Sequence, residues 1–221
     1  MSEKLRVILT GATGMVGEGV LIECLKNPLV ESVLLVNRKP CLFIHPKLKE
    51  IVHQDFFNLS PIENELTGYN TCLFCLGVSS VGMNEEDYTK VTYTLTMNFA
   101  RTLSRLNPNM SFSYISGAST DSTEKGRMMW ARVKGKTEND LMKLPFKAAY
   151  AFRPGMLKPT QGQKNTLKYY KYLGWLYPVL KLIVPNSASS LQELGLAMIH
   201  ASANGSDKKV LEVKDIIQLA K

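Results

Sequence analysis

The fold is decided near the N-terminus, in Leu5-Arg6-Val7-Ile8-Leu9-Thr10-Gly11-Ala12-Thr13-Gly14-Met15-Val16-Gly17. Six residues rich in branched apolar side chains read as a buried strand, and the glycines that follow recur at intervals of three. A helical pattern begins inside that turn and runs over Met15–Lys26. A strand, a glycine turn and a helix in this order form a ready anion site. Gly11 permits the tight turn, and Gly14 lets backbone N–H groups approach a pyrophosphate with no Cβ in the way. Gly17 lets the helix pack close to the strand, and the helix N-terminus adds the positive end of its dipole. Thr13, Met15 and Val16, between them, supply the rest of the cradle. The spacing is G-x-x-G-x-x-G rather than the more familiar G-x-G-x-x-G, so its context between strand and helix carries the reading.

Working outward, short β-branched runs alternate with helical patterns, the signature of βαβ units and a mostly parallel sheet with helices on both faces. Strands are expected over Leu5–Thr10, Ser32–Asn37, Glu50–His53, Thr71–Leu76, Ser111–Ser116, Ala148–Arg153 and Val210–Val213, and helices over Met15–Lys26, Glu85–Leu106, Met128–Leu144 and Ser190–Ala201. The second helix is well marked: Asn84 can cap it, and Val91, Leu95, Phe99 and Leu103 recur every fourth residue. The whole chain, 1–221, reads as a single Rossmann-type domain, with 160–201 as a small cap on the substrate side. The first part of that cap, Thr160–Pro185, is basic and aromatic.

The second strand ends in Val36-Asn37-Arg38-Lys39, and no Asp or Glu stands between Ser32 and Lys49. An acid here would accept hydrogen bonds from the adenosine ribose hydroxyls of NAD; Arg38 and Lys39 suit the 2′-phosphate of NADP instead. NADP is therefore the expected cofactor, with NAD the lesser alternative. Asp55, Leu76, Gly77 and Val78 follow the third and fourth strands, where carboxyl-end loops line such a cleft.

The 221 residues carry a net charge of +8. The basic residues are spread along the chain rather than gathered on one face, so nucleic acid is not an expected partner. No apolar stretch is long enough for an integral membrane segment, and the first strand begins with no signal peptide ahead of it. The expected address is cytoplasmic. Cys72 and Cys75 form a C-x-x-C pair inside a strand, where side chains three apart face opposite sides and cannot share a metal. They read as core, and His45, His53 and His200 fall in no ligand spacing.

Gly11–Gly17, Asn37-Arg38-Lys39, Gln54-Asp55, Cys75-Leu76-Gly77, Tyr114-Ile115-Ser116, Val133-Lys134-Gly135 and Arg153-Pro154-Gly155, in this order, resemble the atypical branch of the short-chain dehydrogenase/reductase superfamily. The likeness is to the Tat-interacting-protein-type oxidoreductases and epimerase-like relatives. It implies a seven-stranded sheet with NADP in the cleft, and Arg153-Pro154-Gly155 closing that cleft near the nicotinamide. It also implies a Tyr-x-x-x-Lys pair working with a serine at the end of the fifth strand. Lys134 matches the lysine and Ser116 the serine, with Ser119 as the second choice. The tyrosine position is held by Trp130, whose indole can donate a hydrogen bond but cannot exchange a proton near neutral pH. Thr92 stands where a helix asparagine is often found, with Asn98 six residues on. Tyr114 and Tyr88 are the candidate substitutes for the missing donor.

Three functions compete. The first is an NADP-dependent oxidoreductase or epimerase acting on a small carbonyl or hydroxyl compound. The second is a non-catalytic NADP-binding regulator or scaffold. The third is a membrane-surface or partner-binding module using Leu173–Val184, a segment whose single charge is Lys181. A homodimer is compatible with all three.

Overall fold

The computed structural model describes residues 3–41, 43–166 and 187–221. Seven strands form one sheet in the order β3-β2-β1-β4-β5-β6-β9, every neighbouring pair parallel. They are β1 (Leu5–Thr10), β2 (Val30–Asn37), β3 (Leu48–Val52), β4 (Thr71–Phe74), β5 (Ser111–Ile115), β6 (Ala148–Arg153) and β9 (Val210–Glu212). Between β6 and β9 two three-residue strands, β7 (Met156–Lys158) and β8 (Ala188–Ser190), pair in parallel as a separate sheet. The Rossmann-type architecture expected from the alternation of elements is present, with the strand order turning back between β1 and β4.

Alternation along each strand divides the core into two layers. Val7 and Leu9 pack on one face with Val20, Leu21 and Cys24 of α1 (Met15–Lys26). Ile8 faces the other way, into a cluster holding Phe56, Phe74, Phe99 and Phe112. Phe56, Phe99, Phe74 and Phe112 make a continuous ring contact, with centroids 5.6–5.8 Å apart along the chain of rings. The thiols obey the same alternation: Cys72 lies in the aromatic layer and Cys75 packs against the α1 layer, so they sit on opposite sides of the sheet. Among the described residues no group of His, Cys, Asp or Glu is arranged to hold a metal.

The long second helix is interrupted. α2 (Glu85–Thr89) and α3 (Leu95–Leu106) are joined without a break by a π-helical turn over Lys90–Thr94. Val91, Thr92 and Thr94 crowd this turn with β-branched side chains. Asn84 caps α2 as expected, accepting from the Asp87 N–H at 2.8 Å. α4 (Met129–Leu141) lies on the same face.

The C-terminal part departs from the expected cap. α5 (Leu191–Asn204) buries Leu191, Leu194, Ala197, Met198 and Ile199 in the α1 layer, so it is a core helix rather than part of a cap. Glycines bring it close to α1: a Cβ on Gly19 would lie 2.8 Å from the Leu191 Cβ, and one on Gly195 2.9 Å from the Glu23 Cγ. A last helix, α6 (Val213–Leu219), follows β9 directly and is not foreseen from the sequence. Residues 167–186 of the expected cap, including Leu173–Val184, lie outside the described residues.

Candidate functional site

The glycines of the first turn have separate jobs. Gly11 adopts φ +75°, and a Cβ there would lie 2.7 Å from the Cys75 carbonyl oxygen. A Cβ on Gly17 would lie 2.1 Å from the Gly11 carbonyl oxygen. Both positions are closed by backbone, so both glycines are required by the fold. Gly14 is different: the nearest atom to its Cβ position is 3.4 Å away, and at Gly77 nothing lies within 4 Å. These two border open space, which is where a ligand backbone would pass. Gly14 is also the N-cap of α1 and brings no side-chain cap, leaving first-turn N–H groups available to an anion. Met15 and Val16 pack their side chains against the α1 layer, so their contribution is through the main chain.

A cleft of about 530 Å³ opens at this turn, lined by Gly11, Thr13, Asn37, Arg38, Lys39, Gln54 and Leu76. Arg38 and Lys39 are exposed and have no ion pair among the described residues. Asn37 is buried. Its Nδ2 donates to Glu50 Oε1 at 2.8 Å, which leaves Oδ1 as an acceptor with no partner among the described residues. Gln54 reaches across to donate from Nε2 to the Arg38 carbonyl at 2.7 Å. An open glycine cradle, an orphaned acceptor and two unpaired cations fit a dinucleotide.

Of the residues expected around this cleft, Gly11, Thr13, Arg38, Lys39 and Leu76 line it directly. Gly77 and Val78 follow Leu76 in an exposed loop. Asp55 does not line the cleft: it is exposed, and its carboxylate accepts from the Phe57 N–H at 2.9 Å in a local turn. Its neighbour Gln54 holds the place, and Asn37 is a second lining residue not among those expected.

The second half of the expected site gathers at the end of β5. Lys134 Nζ donates to the Ser116 carbonyl at 2.8 Å and sits 5.7 Å from the centroid of the Tyr114 ring. Burial pushes its ammonium pKa down to about 8, against an opposing pull from Glu138. The Ser116 Oγ is buried 2.8 Å from Thr120 Oγ1. Because the Thr120 hydroxyl donates to the Gly117 carbonyl at 2.8 Å, Ser116 is the donor of that pair. The Trp130 ring lies over this loop, 3.8 Å from where a Gly117 Cβ would stand. Lys134, Ser116 and Trp130 are thus brought together.

Three other expectations meet different surroundings. Tyr114 and Tyr88 are both buried, and burial raises both phenol pKa values, which removes them as ready proton exchangers. Asn98 donates from Nδ2 to the Phe56 and Phe57 carbonyls at 2.9 and 3.1 Å, a fastening for the loop after β3. Arg153 does not face the cleft. Its guanidinium donates to both oxygens of the buried Glu138 at 3.0 and 2.5 Å, to Glu212 at 3.1 Å and to Ser122 at 2.6 Å. A cation held by two carboxylates has little left for a cofactor, and its role here is to tie α4 to β6 and β9.

No family model matches the chain. It is 24% identical over 231 residues to the mitochondrial protein FMP52 of Candida albicans, covering 98% of each chain. It is also 24% identical over 153 residues to the protein HTATIP2 of Rattus norvegicus, covering 68% of this chain and 62% of that one. Among solved structures, ADP-L-glycero-D-manno-heptose-6-epimerase of Helicobacter pylori superposes with a TM-score of 0.68 at 15% identity, over 99% of this chain and 81% of the other. A short chain dehydrogenase of Burkholderia cenocepacia, in complex with NADP, gives 0.67 at 15% identity over 99% and 93%. These likenesses show the fold. The cytoplasmic expectation is overturned by the FMP52 relatives, which are named mitochondrial. Among the described residues no helix is long and apolar enough to cross a membrane.

Proposed function

Because the chain groups with the atypical, epimerase-like short-chain dehydrogenase/reductases, we propose that it binds a nicotinamide dinucleotide at the Gly11–Gly17 turn and prefers NADP(H) to NAD(H). The observation that carries this reading is the cleft itself: Gly14 borders open space at the start of α1, and Arg38 and Lys39 stand unpaired where an acid would select NAD. Thr13, Gly14 and the first-turn amides would hold the pyrophosphate, and Asn37 and Gln54 would border the adenosine. A nicotinamide reaching the end of β5 would supply hydride transfer to or from a small carbonyl or hydroxyl compound. There Lys134 would bind the ribose, and Ser116 would orient the substrate oxygen once its hydroxyl leaves Thr120. Lys134 also keeps an ammonium that titrates near neutral pH.

A second reading, a non-catalytic NADP(H)-binding regulator, is favoured by one specific observation. Tyr114 and Tyr88 are buried with raised pKa values, and Trp130 stands four residues before Lys134, where the family resemblance calls for the proton donor. Calorimetric titration tests the cofactor first: NADPH is expected to bind at least about tenfold more tightly than NADH, roughly 1.4 kcal/mol. Equal affinities, or an Arg38→Ala variant with unchanged NADPH affinity, would remove the NADP reading. NADPH oxidation with a panel of aldehydes, ketones and nucleotide sugars then separates enzyme from regulator. Trp130→Tyr would place a phenol one helical turn from the Lys134 ammonium, which lowers a phenol pKa. On the enzyme reading its rate rises by about 10-fold. No turnover in either protein, with NADPH binding intact, would leave the regulator.

A further inference from the structure

Beside the cofactor cleft lies a smaller pocket of about 270 Å³, whose walls include Thr13, Glu18, Lys39, Cys41, Lys164 and Asn165. Thr13 and Lys39 line both cavities, so the two meet at the phosphate turn. Lys164 and Asn165 come from the stretch 160–166, far along the chain from the rest of the pocket.

A carboxylate holds it there. Glu18, in the first turn of α1 and fully buried, accepts the Lys164 N–H at 2.8 Å and the Asn165 N–H at 2.6 Å, one on each oxygen. Gln163 adds a bond from its side-chain amide to the Met15 carbonyl. An acid in the first turn of a phosphate-binding helix would ordinarily repel the phosphate; here both of its oxygens are occupied by main-chain donors. The stretch is therefore latched to α1 through its backbone, and the Lys164 side chain takes no part in the latch. That side chain is exposed and has no ion pair among the described residues, and its charge is felt at Cys41 across the pocket. Arg38 lines the cleft, Lys164 lines the smaller pocket and Lys39 lines both, so cations from two distant parts of the chain border adjoining cavities. A single exposed lysine is unremarkable; a lysine on a stretch latched into a pocket that shares Lys39 with the cleft suits a dianionic phosphate monoester.

We propose that Lys164 is a specificity-determining residue that completes, with Arg38 and Lys39, a three-cation clamp on the 2′-phosphate of NADP(H). The inference rests on the reading that a nicotinamide dinucleotide lies in the cleft. It adds that phosphate recognition and the seating of residues 160–166 are coupled: a nucleotide held by Lys164 favours the latched stretch, and the latched stretch favours that nucleotide.

The test is calorimetric titration of NADPH and NADH into the wild type, Lys164→Ala, Lys164→Arg and Arg38→Ala, with hydrogen exchange on the wild type. Lys164→Ala is expected to weaken NADPH by about five- to tenfold and to leave NADH within twofold, with Lys164→Arg close to wild type. The amides of Lys164 and Asn165 should gain protection with NADPH and much less with NADH. If Lys164→Ala left NADPH affinity unchanged, or weakened both nucleotides alike, while Arg38→Ala still cut NADPH selectively, the clamp would be wrong and the cofactor assignment would stand. Equal protection by the two nucleotides would overturn the coupling. A wild type that binds neither nucleotide would overturn the cofactor assignment, and the clamp with it.

Discussion

Two glycines three residues apart, Gly14 and Gly17, look alike in the sequence and differ in what surrounds them. A side chain at Gly14 meets almost nothing, whereas the first carbon of one at Gly17 lands 2.1 Å from a backbone oxygen. Gly14→Val should therefore fold, with a melting temperature near wild type, and lose the rise in melting temperature on adding NADPH. Gly17→Ala should fail earlier, in thermal stability without ligand, by several kcal/mol because β1 and α1 must separate. A Gly14→Val protein still stabilised by NADPH would place the phosphates elsewhere. Lys134 gives a prediction in pH. Its folded pKa of about 8 lies below the ordinary 10.5, so between these values the unfolded chain holds a proton that the folded one has lost. Stability from this residue therefore rises with pH across that window, and below about pH 8 the full burial penalty is present. Lys134→Met should remove that rise, read as the difference between the two proteins in urea midpoint at pH 7 and pH 9.5. Parallel profiles would refute it. At this scale the sequence shows the type of residue a site needs but not which of two neighbours faces it. Gln54 and Asp55 both follow the end of β3, and only the folded loop shows that Gln54 lines the cleft. Arg153 was unreadable for another reason, since its partners Glu138 and Glu212 lie 15 and 59 residues away.

Elements were legible where they carry their own boundary signals. α1 and β1 have the expected limits, and α5 starts one residue inside the expected Ser190–Ala201, with Ser190 as its cap: Ser190 accepts from the Glu193 N–H at 3.0 Å while Glu193 Oε2 accepts from the Ser190 N–H at 2.6 Å. Ser190→Ala breaks this reciprocal cap and should lower unfolding free energy by about 1 kcal/mol, measured by chemical denaturation. A change below a few tenths would mean that packing against α1 alone sets the helix start. α6 escaped the sequence reading because its cap is built from Glu212 and Asp215 rather than the usual hydroxyl residue, at the point where a strand ends. β7 and β8 are three residues each, too short to show a period. The π-helical turn escaped because the four-residue recurrence of Val91, Leu95, Phe99 and Leu103 continues through it unchanged.

For the whole molecule, the alternation of strands and helices made the parallel sheet legible, and the crossover rules allow few arrangements beyond the one observed. What alternation does not say is which helix covers which face, and that arrangement bears on how the protein is made. A ribosome delivers β1, β2 and β3 first, but β1 also needs β4 on its other edge, so Val7–Thr10 waits for Thr71–Phe74. From there the sheet extends in the order of synthesis, β5 on β4, β6 on β5 and β9 on β6. The two faces then close at very different times. The aromatic layer is finished by residues up to Phe146, whereas the layer that holds α1 is completed only when Leu191–Asn204 packs beside α1. Until Leu191–Asn204 arrives the nascent chain is a sheet with one layer complete and the other still open beside α1, and its dependence on chaperones should be concentrated on that side.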